Sequence, residues 1–160
     1  MTTSLGIDVS KLSVCCHVLH GYPKGGLAAY WRKSQKNLAK NYPTFYSIPK
    51  KQQKEFKDFL DYLDGLQASD EIVAILEPTG YHASKLWAEL LKSKGIDILW
   101  VGHCHLGRYR RGKGLPNKSD PADALVMAGS ISTPTIKPTT EPTRENTSFI
   151  NPTISPGFEK

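Results

Sequence analysis

Four carboxylates stand in three places where acids can do chemistry together: Asp8, Glu77, and the pair Asp120 and Asp123. Asp8 closes the short apolar run Leu5-Gly6-Ile7 just before Val9-Ser10-Lys11, and Glu77 closes Ile72 to Leu76 ahead of Pro78-Thr79-Gly80. In Asp120-Pro121-Ala122-Asp123 the two acids are spaced i, i+3, which sets both on one face of a helix. Acids gathered at strand ends and a helix start can hold hard divalent cations such as magnesium. Two such ions about 4 Å apart serve in-line displacement at phosphate diesters. Taken singly, these residues read as a turn acid, a strand-end acid and a helix cap. As a set they point to cleavage or transfer of nucleic acid strands.

The elements that position them follow from periodicity. Residues 5–9 and 13–20 read as two strands joined by a tight turn, with Val14, Cys16 and Val18 on one face of the second and Ser13, Cys15 and His17 on the other. A Gly-, Lys- and Tyr-rich loop spans 21–43, with a local helical turn at Gly26 to Trp31. Thr44 to Ile48 is a third strand. Pro49 opens a helix with an apolar stripe of Phe56, Phe59, Leu60 and Leu63. Glu71 to Glu77 is almost entirely β-branched or aliphatic, as a strand covered on both faces should be. A helix from Gly80 to Lys94 buries Leu86, Leu90 and Leu91 and is stopped by Gly95, and Asp97 to Val101 is the fifth strand. The resulting class is α/β, a mixed sheet with flanking helices, in which the first and fourth strands can lie side by side and bring Asp8 to Glu77.

From Gly102 to Lys118 no period survives, and Arg108, Arg110, Arg111, Lys113 and Lys118 crowd together without an acid. This basic loop, directly ahead of the Asp pair, suits phosphate binding, with Tyr109 offering a stacking face for single strands or RNA. Lys11, three residues after Asp8, is a further candidate for phosphate contact. Asp120 reads as a helix N-cap with Pro121 at the first helical position, and that helix carries Leu125, Val126 and Met127 to about Gly129. Beyond it the Thr/Pro-rich residues 132–160 read as a disordered tail, leaving one ordered domain at 1–131.

Bulk properties agree with that domain. The 160 residues suffice for one full core, and a net charge of +6 leans towards anionic partners. Three cysteines without framework spacing, no signal-peptide pattern and no apolar run of ~20 residues lead us to expect a soluble, cytoplasmic (nucleoid-associated) protein without membrane contact. His103-Cys104-His105, with Cys15, Cys16 and His17, matches no zinc spacing and is better explained by strand-end packing. Trp87 and Trp100 read as core aromatics.

Gly6-Ile7-Asp8-Val9-Ser10-Lys11, Glu77-Pro78-Thr79-Gly80 and Asn117-Lys118-Ser119-Asp120-Pro121-Ala122-Asp123-Ala124 together resemble the N-terminal catalytic domain of DEDD-type transposases of bacterial insertion sequences, those related to the Piv DNA invertase. The resemblance runs in order over residues 5–130. It implies a ribonuclease H-like (RuvC-type) fold with a mixed five-stranded sheet. It also implies that Asp8, Glu77, Asp120 and Asp123 hold two Mg2+ (or Mn2+) ions, and that the partners are DNA ends and target, in some members with a structured guide RNA. Members of that family continue into a second domain with a strand-exchange serine, so this chain looks like a truncated or separately encoded half, and a homo-oligomer is expected of the complete protein. The alternative is a non-catalytic remnant that binds DNA or guide RNA. A sugar- or actin-type kinase, suggested by Gly6-Ile7-Asp8-Val9, lacks the Gly-Thr turn and second phosphate loop that such enzymes require.

Overall fold

The computed structural model of this chain describes residues 3–78, 81–115, 118–131 and 138–139. Strands β1 (Thr3–Val9) and β2 (Ser13–Leu19) form a hairpin. They are followed by helix α1 (Gly26–Ser34), a 3-10 turn (Gln35–Asn37), the short α2 (Leu38–Asn41) and strand β3 (Thr44–Tyr46). Helix α3 (Gln52–Gln67), β4 (Ile72–Leu76), α4 (Tyr81–Ser93) and β5 (Asp97–Val101) then alternate, and α5 (His103–Gly112) and α6 (Asp120–Ser130) complete the helices. The sheet order is β3-β2-β1-β4-β5-β6, with β1, β4 and β5 parallel to one another and the other pairings antiparallel.

The five expected strands are present, and a sixth, β6 (Pro138–Thr139), pairs with Trp100 and Val101 of β5. That short strand falls inside the stretch read from sequence as a tail; the rest of 132–160 lies outside the described residues. Two further expectations are corrected. The segment 21–43 contains the two helices α1 and α2 rather than one loop, and the basic stretch is helical over 103–112, as α5. The arginines at 108, 110 and 111 conceal the period of α5, because only Leu106 and Tyr109 of its described side chains are buried.

Alternation along the strands divides the core in two. Leu5, Ile7, Val14, Cys16 and Leu76 face α3 and α4, where Phe59, Leu63, Trp87 and Leu91 meet them. Cys15, Leu19 and Ile75 face the other way, against Leu125, Val126 and Met127 of α6, with Leu27 and Tyr109 alongside. Trp87 and Trp100 are buried as expected, but Leu86 is half-buried, and Trp87 and Ala88 take the place given to it. Gly95, at φ 71°, ends α4 in the conformation that glycine adopts without penalty.

Helix α6 lies directly on β1. A Cβ placed on Gly6 would stand 2.0 Å from the Ala124 carbonyl oxygen and 2.6 Å from the Ala128 nitrogen, so only a glycine lets the two backbones approach this closely. One pleat earlier, Ser4 Oγ donates to the Ala128 carbonyl at 2.7 Å. From the side, Tyr109 OH of α5 donates to the Gly129 carbonyl at 3.1 Å. These contacts fix the height and tilt of the helix that carries Asp120 and Asp123.

Candidate active site

The acids converge for reasons of register. β1 and β4 run parallel, pairing Ile7 with Leu76, and one step further along the same register brings Asp8 beside Glu77. The period of two puts Asp8 on the face of Ser4 and Gly6, and Glu77 on the face of Ile75, which is the side that α6 covers. The first turn of α6 supplies Asp120 and Asp123 to the same end. Its N-cap is Ser119, not Asp120: the Ser119 hydroxyl accepts from the Ala122 N–H at 3.3 Å. Released from capping, the exposed Asp120 carboxylate faces the site.

The electrostatics record that convergence. Asp8 is pushed up to about 9 by burial first, then by a hydrogen bond to Asp120 and by the charges of Asp120, Asp123 and Glu77. Burial and the neighbouring acids thus favour the neutral form of the Asp8 carboxyl. Glu77 is pushed up to about 7 by burial and by Asp123, with Lys118 opposing the shift. Three of the four acids thus bear on a single carboxyl, and no counter-charge appears among the causes acting on Asp8.

Asp123 has a close counter-charge. Its Oδ1 accepts from Arg110 Nη1 at 2.7 Å, and both side chains are only 13% exposed. The Arg110 Nε is buried without a hydrogen-bond partner. Of the basic residues singled out in the sequence, Arg110 and Lys118 are brought to the acids. Lys11 is exposed in the β1–β2 turn. Arg108 and Arg111 are exposed on α5, and Lys113 lies over the rings of Tyr22 and Tyr109, 5.5 Å from each centroid. Sequence reading gave Arg110 only a phosphate-binding role; its spacing from Asp123 holds no signal of the ion pair.

The donor set is the right chemistry for a hard divalent ion: oxygen ligands, partly buried, with mutual repulsion that a cation would relieve. Among the described residues, however, no three His, Cys, Asp or Glu side chains are drawn up around a single point. Asp123 is engaged by Arg110 instead. Cys15 and Cys16 are free and buried on opposite faces of β2, with both thiols pushed upward by burial, as inert core residues are. His17 is tied to Tyr30 and Asn41 instead of joining them.

No protein-family model matches the chain, and no curated protein does. Among solved structures, the chain aligns with Thermus thermophilus RuvC at a TM-score of 0.51 and 16% identity, over 86% of this chain and 99% of that one. T. thermophilus RuvC in complex with a Holliday junction substrate aligns at 0.48 and 14% identity, over 87% of this chain and 100% of the other. The architecture is therefore ribonuclease H-like, of the RuvC type. Among the described residues no helix is long and apolar enough to cross a membrane.

Proposed function

We propose that this chain is the catalytic domain of a DEDD-type transposase or recombinase, a divalent-metal-dependent domain that cuts and transfers DNA strands. The observation that carries the reading is the coupling of Asp8 to Glu77, Asp120 and Asp123 at the α6-covered ends of β1 and β4. Asp8, Glu77, Asp120 and Asp123 would together hold two Mg2+ or Mn2+ ions. Such ions supply an activated oxygen nucleophile and stabilise the departing oxygen. The chain's own part is to hold four carboxylates on one helix and two strand ends and to offer Arg110 and Lys118 beside them. DNA would be the substrate, a structured guide RNA a possible director of target choice, and a dimer or larger oligomer the assembly that joins two ends.

A second reading is a binding module without turnover. The engagement of Asp123 by Arg110 favours it, since among the described residues no three acids are drawn up around a single point. Calorimetric titration with Mn2+ comes first, on the wild type and Asp8→Asn, followed by nicking of branched DNA. Heat of binding and nicking that both vanish in Asp8→Asn support catalysis. Identical behaviour of the two proteins in both assays would sink it in favour of the binding module.

A further inference from the structure

Between Asp8 and Glu55 the chain contains no acidic residue. The middle of that interval is the α1–α2 segment, and its Lys24, Arg32, Lys33, Lys36 and Lys40 are all exposed. None of the five has an acidic partner among the described residues. On the opposite side of the sheet the arrangement differs: Lys54 and Lys57 of α3 are each answered by an aspartate four residues on, at 2.7 and 2.8 Å. The α1–α2 charge is thus uncompensated in a way that α3 charge is not.

The segment is also anchored, not loose. His17 of β2 is buried beneath it, bonded to Tyr30 OH at 2.8 Å and to the Asn41 carbonyl at 2.6 Å, and its ring stacks on Tyr42 at 4.2 Å. Ser34 Oγ bonds Tyr42 OH at 2.6 Å, and Asn41 Nδ2 donates to the Ser34 carbonyl at 2.9 Å. Leu27 packs under Gly129 of α6. Because Nδ1–H of His17 must donate to a carbonyl, its Nε2 accepts from Tyr30. A buried polar network of this kind fixes both ends of the segment while the cations stay outside.

Two contacts relate this platform to the candidate site. Tyr42 follows α2 directly, and its carbonyl accepts from Cys15, the residue paired with Asp8 across the hairpin. At the other end, Lys113, just past the end of α5, lies over Tyr22, next to the exposed Arg108 and Arg111 of that helix. We propose that the α1–α2 segment is a second nucleic-acid-binding surface, a rigid cationic platform that takes the phosphate backbone of the duplex leading away from the cut. The reading rests on the nucleic-acid function above, and it adds a surface that carries no catalytic group. Paired phosphates are favoured over an acidic polypeptide because five unanswered cations held on one rigid segment match a regularly spaced array of charge.

The test is binding without cleavage: fluorescence anisotropy in EDTA with a 30-base-pair DNA duplex and, separately, an RNA hairpin, across a salt series. The fourfold variant Arg32→Gln, Lys33→Gln, Lys36→Gln, Lys40→Gln is compared with wild type. A control carrying Lys50→Gln, Lys51→Gln, Lys54→Gln, Lys57→Gln removes equal charge from the other side. We expect the platform variant to lose about 10- to 100-fold in affinity and to flatten the log K against log salt slope by about 2 to 4, at roughly 0.9 per phosphate contact. The control should change little. A loss on the DNA duplex supports the platform, and a loss confined to the RNA hairpin overturns its assignment to the duplex that leads away from the cut. Equal weakening by both variants, no weakening by either, or displacement of the probe by polyglutamate as readily as by DNA overturns it. Because no metal is present, a protein that binds in this way yet never nicks DNA fails only as a nuclease.

Discussion

Gly6→Ala is the substitution on which the described geometry bears most directly. The added methyl would meet the Ala124 carbonyl oxygen at 2.0 Å, where ordinary contact begins near 3.4 Å, so α6 must retreat by about 1.4 Å or β1 must buckle. Neither obstacle is a side chain that could swing aside; both are backbone. Overpacking costs about 1–3 kcal/mol where side chains can adjust, and here the upper end applies. Retreat would also stretch the 2.7 Å bond from Ser4 to Ala128, worth about 1 kcal/mol. A total near 4 kcal/mol lowers Tm by roughly 8–16 °C for a chain of this size. The same displacement moves Asp120 and Asp123 away from Asp8, so Mn2+ affinity should fall at least tenfold. Gly129→Ala is the contrast, since its Cβ meets only the ends of Leu27, at 2.9 Å, and alanine favours the helix by up to about 1 kcal/mol. Thermal unfolding and Mn2+ calorimetry on both variants decide the matter. A Gly6→Ala protein with unchanged Tm and unchanged ion binding would refute the backbone-to-backbone seating of α6 on β1.

Three further outcomes are expected. Asp8 is raised in the fold from its ordinary value to about 9, so the folded chain holds a proton that the unfolded chain has released, and ion-free stability falls as pH rises from about 4 to 9. Asp8→Asn should therefore melt higher than wild type without metal, by a margin that grows across that window, and should bind no Mn2+; a lower melting point at pH 8 would contradict this. His17 is lowered to about 4 by burial, so its stabilisation is complete above about 6.5 and is lost as pH falls towards 4, by about 3 kcal/mol in all. His17→Gln should be less stable at pH 7 and show a flatter pH profile in urea unfolding, and parallel profiles would count against the buried neutral imidazole. Arg110→Gln leaves Asp123 without its cation and should cost the ion-free protein roughly 1–3 kcal/mol. Because Mn2+ can then take over that charge, the ion should raise the Tm of this variant more than that of wild type, and an equal rise would argue against competition for Asp123.

Much of this arrangement is legible in the chain because strands and acids have short-range signatures. The alternation Val14, Cys16, Val18 against Cys15 and His17 divides the core as observed. The two aliphatic runs ending in Asp8 and Glu77 lie side by side, as their lengths and termini suggest. What escaped was information of longer range. Of Gly26 to Asn41 only the turn at Gly26 to Trp31 is legible, because the partners that hold the longer segment, His17 on Tyr30 and Tyr42 on Ser34, lie outside it. Arg110 looked like one cation among several until the fold set it 2.7 Å from Asp123. Ser119 and Asp120 are both good caps, and only backbone geometry chose between them.

The seating of α6 on β1 also sets the order in which the molecule can acquire its shape during synthesis. β1 ends at Val9 and α6 begins at Asp120, so more than a hundred residues separate the two halves of that contact. At about 5–20 residues per second, the Gly6 face of the hairpin waits roughly 5–20 s on the ribosome before its cover exists. Contacts this distant along a chain slow folding and leave apolar surface open in the interval. Cys15, Leu19 and Ile75 are the residues left uncovered. A chain interrupted anywhere before residue 120 would present that face permanently, as a substrate for chaperones rather than as a smaller version of the domain.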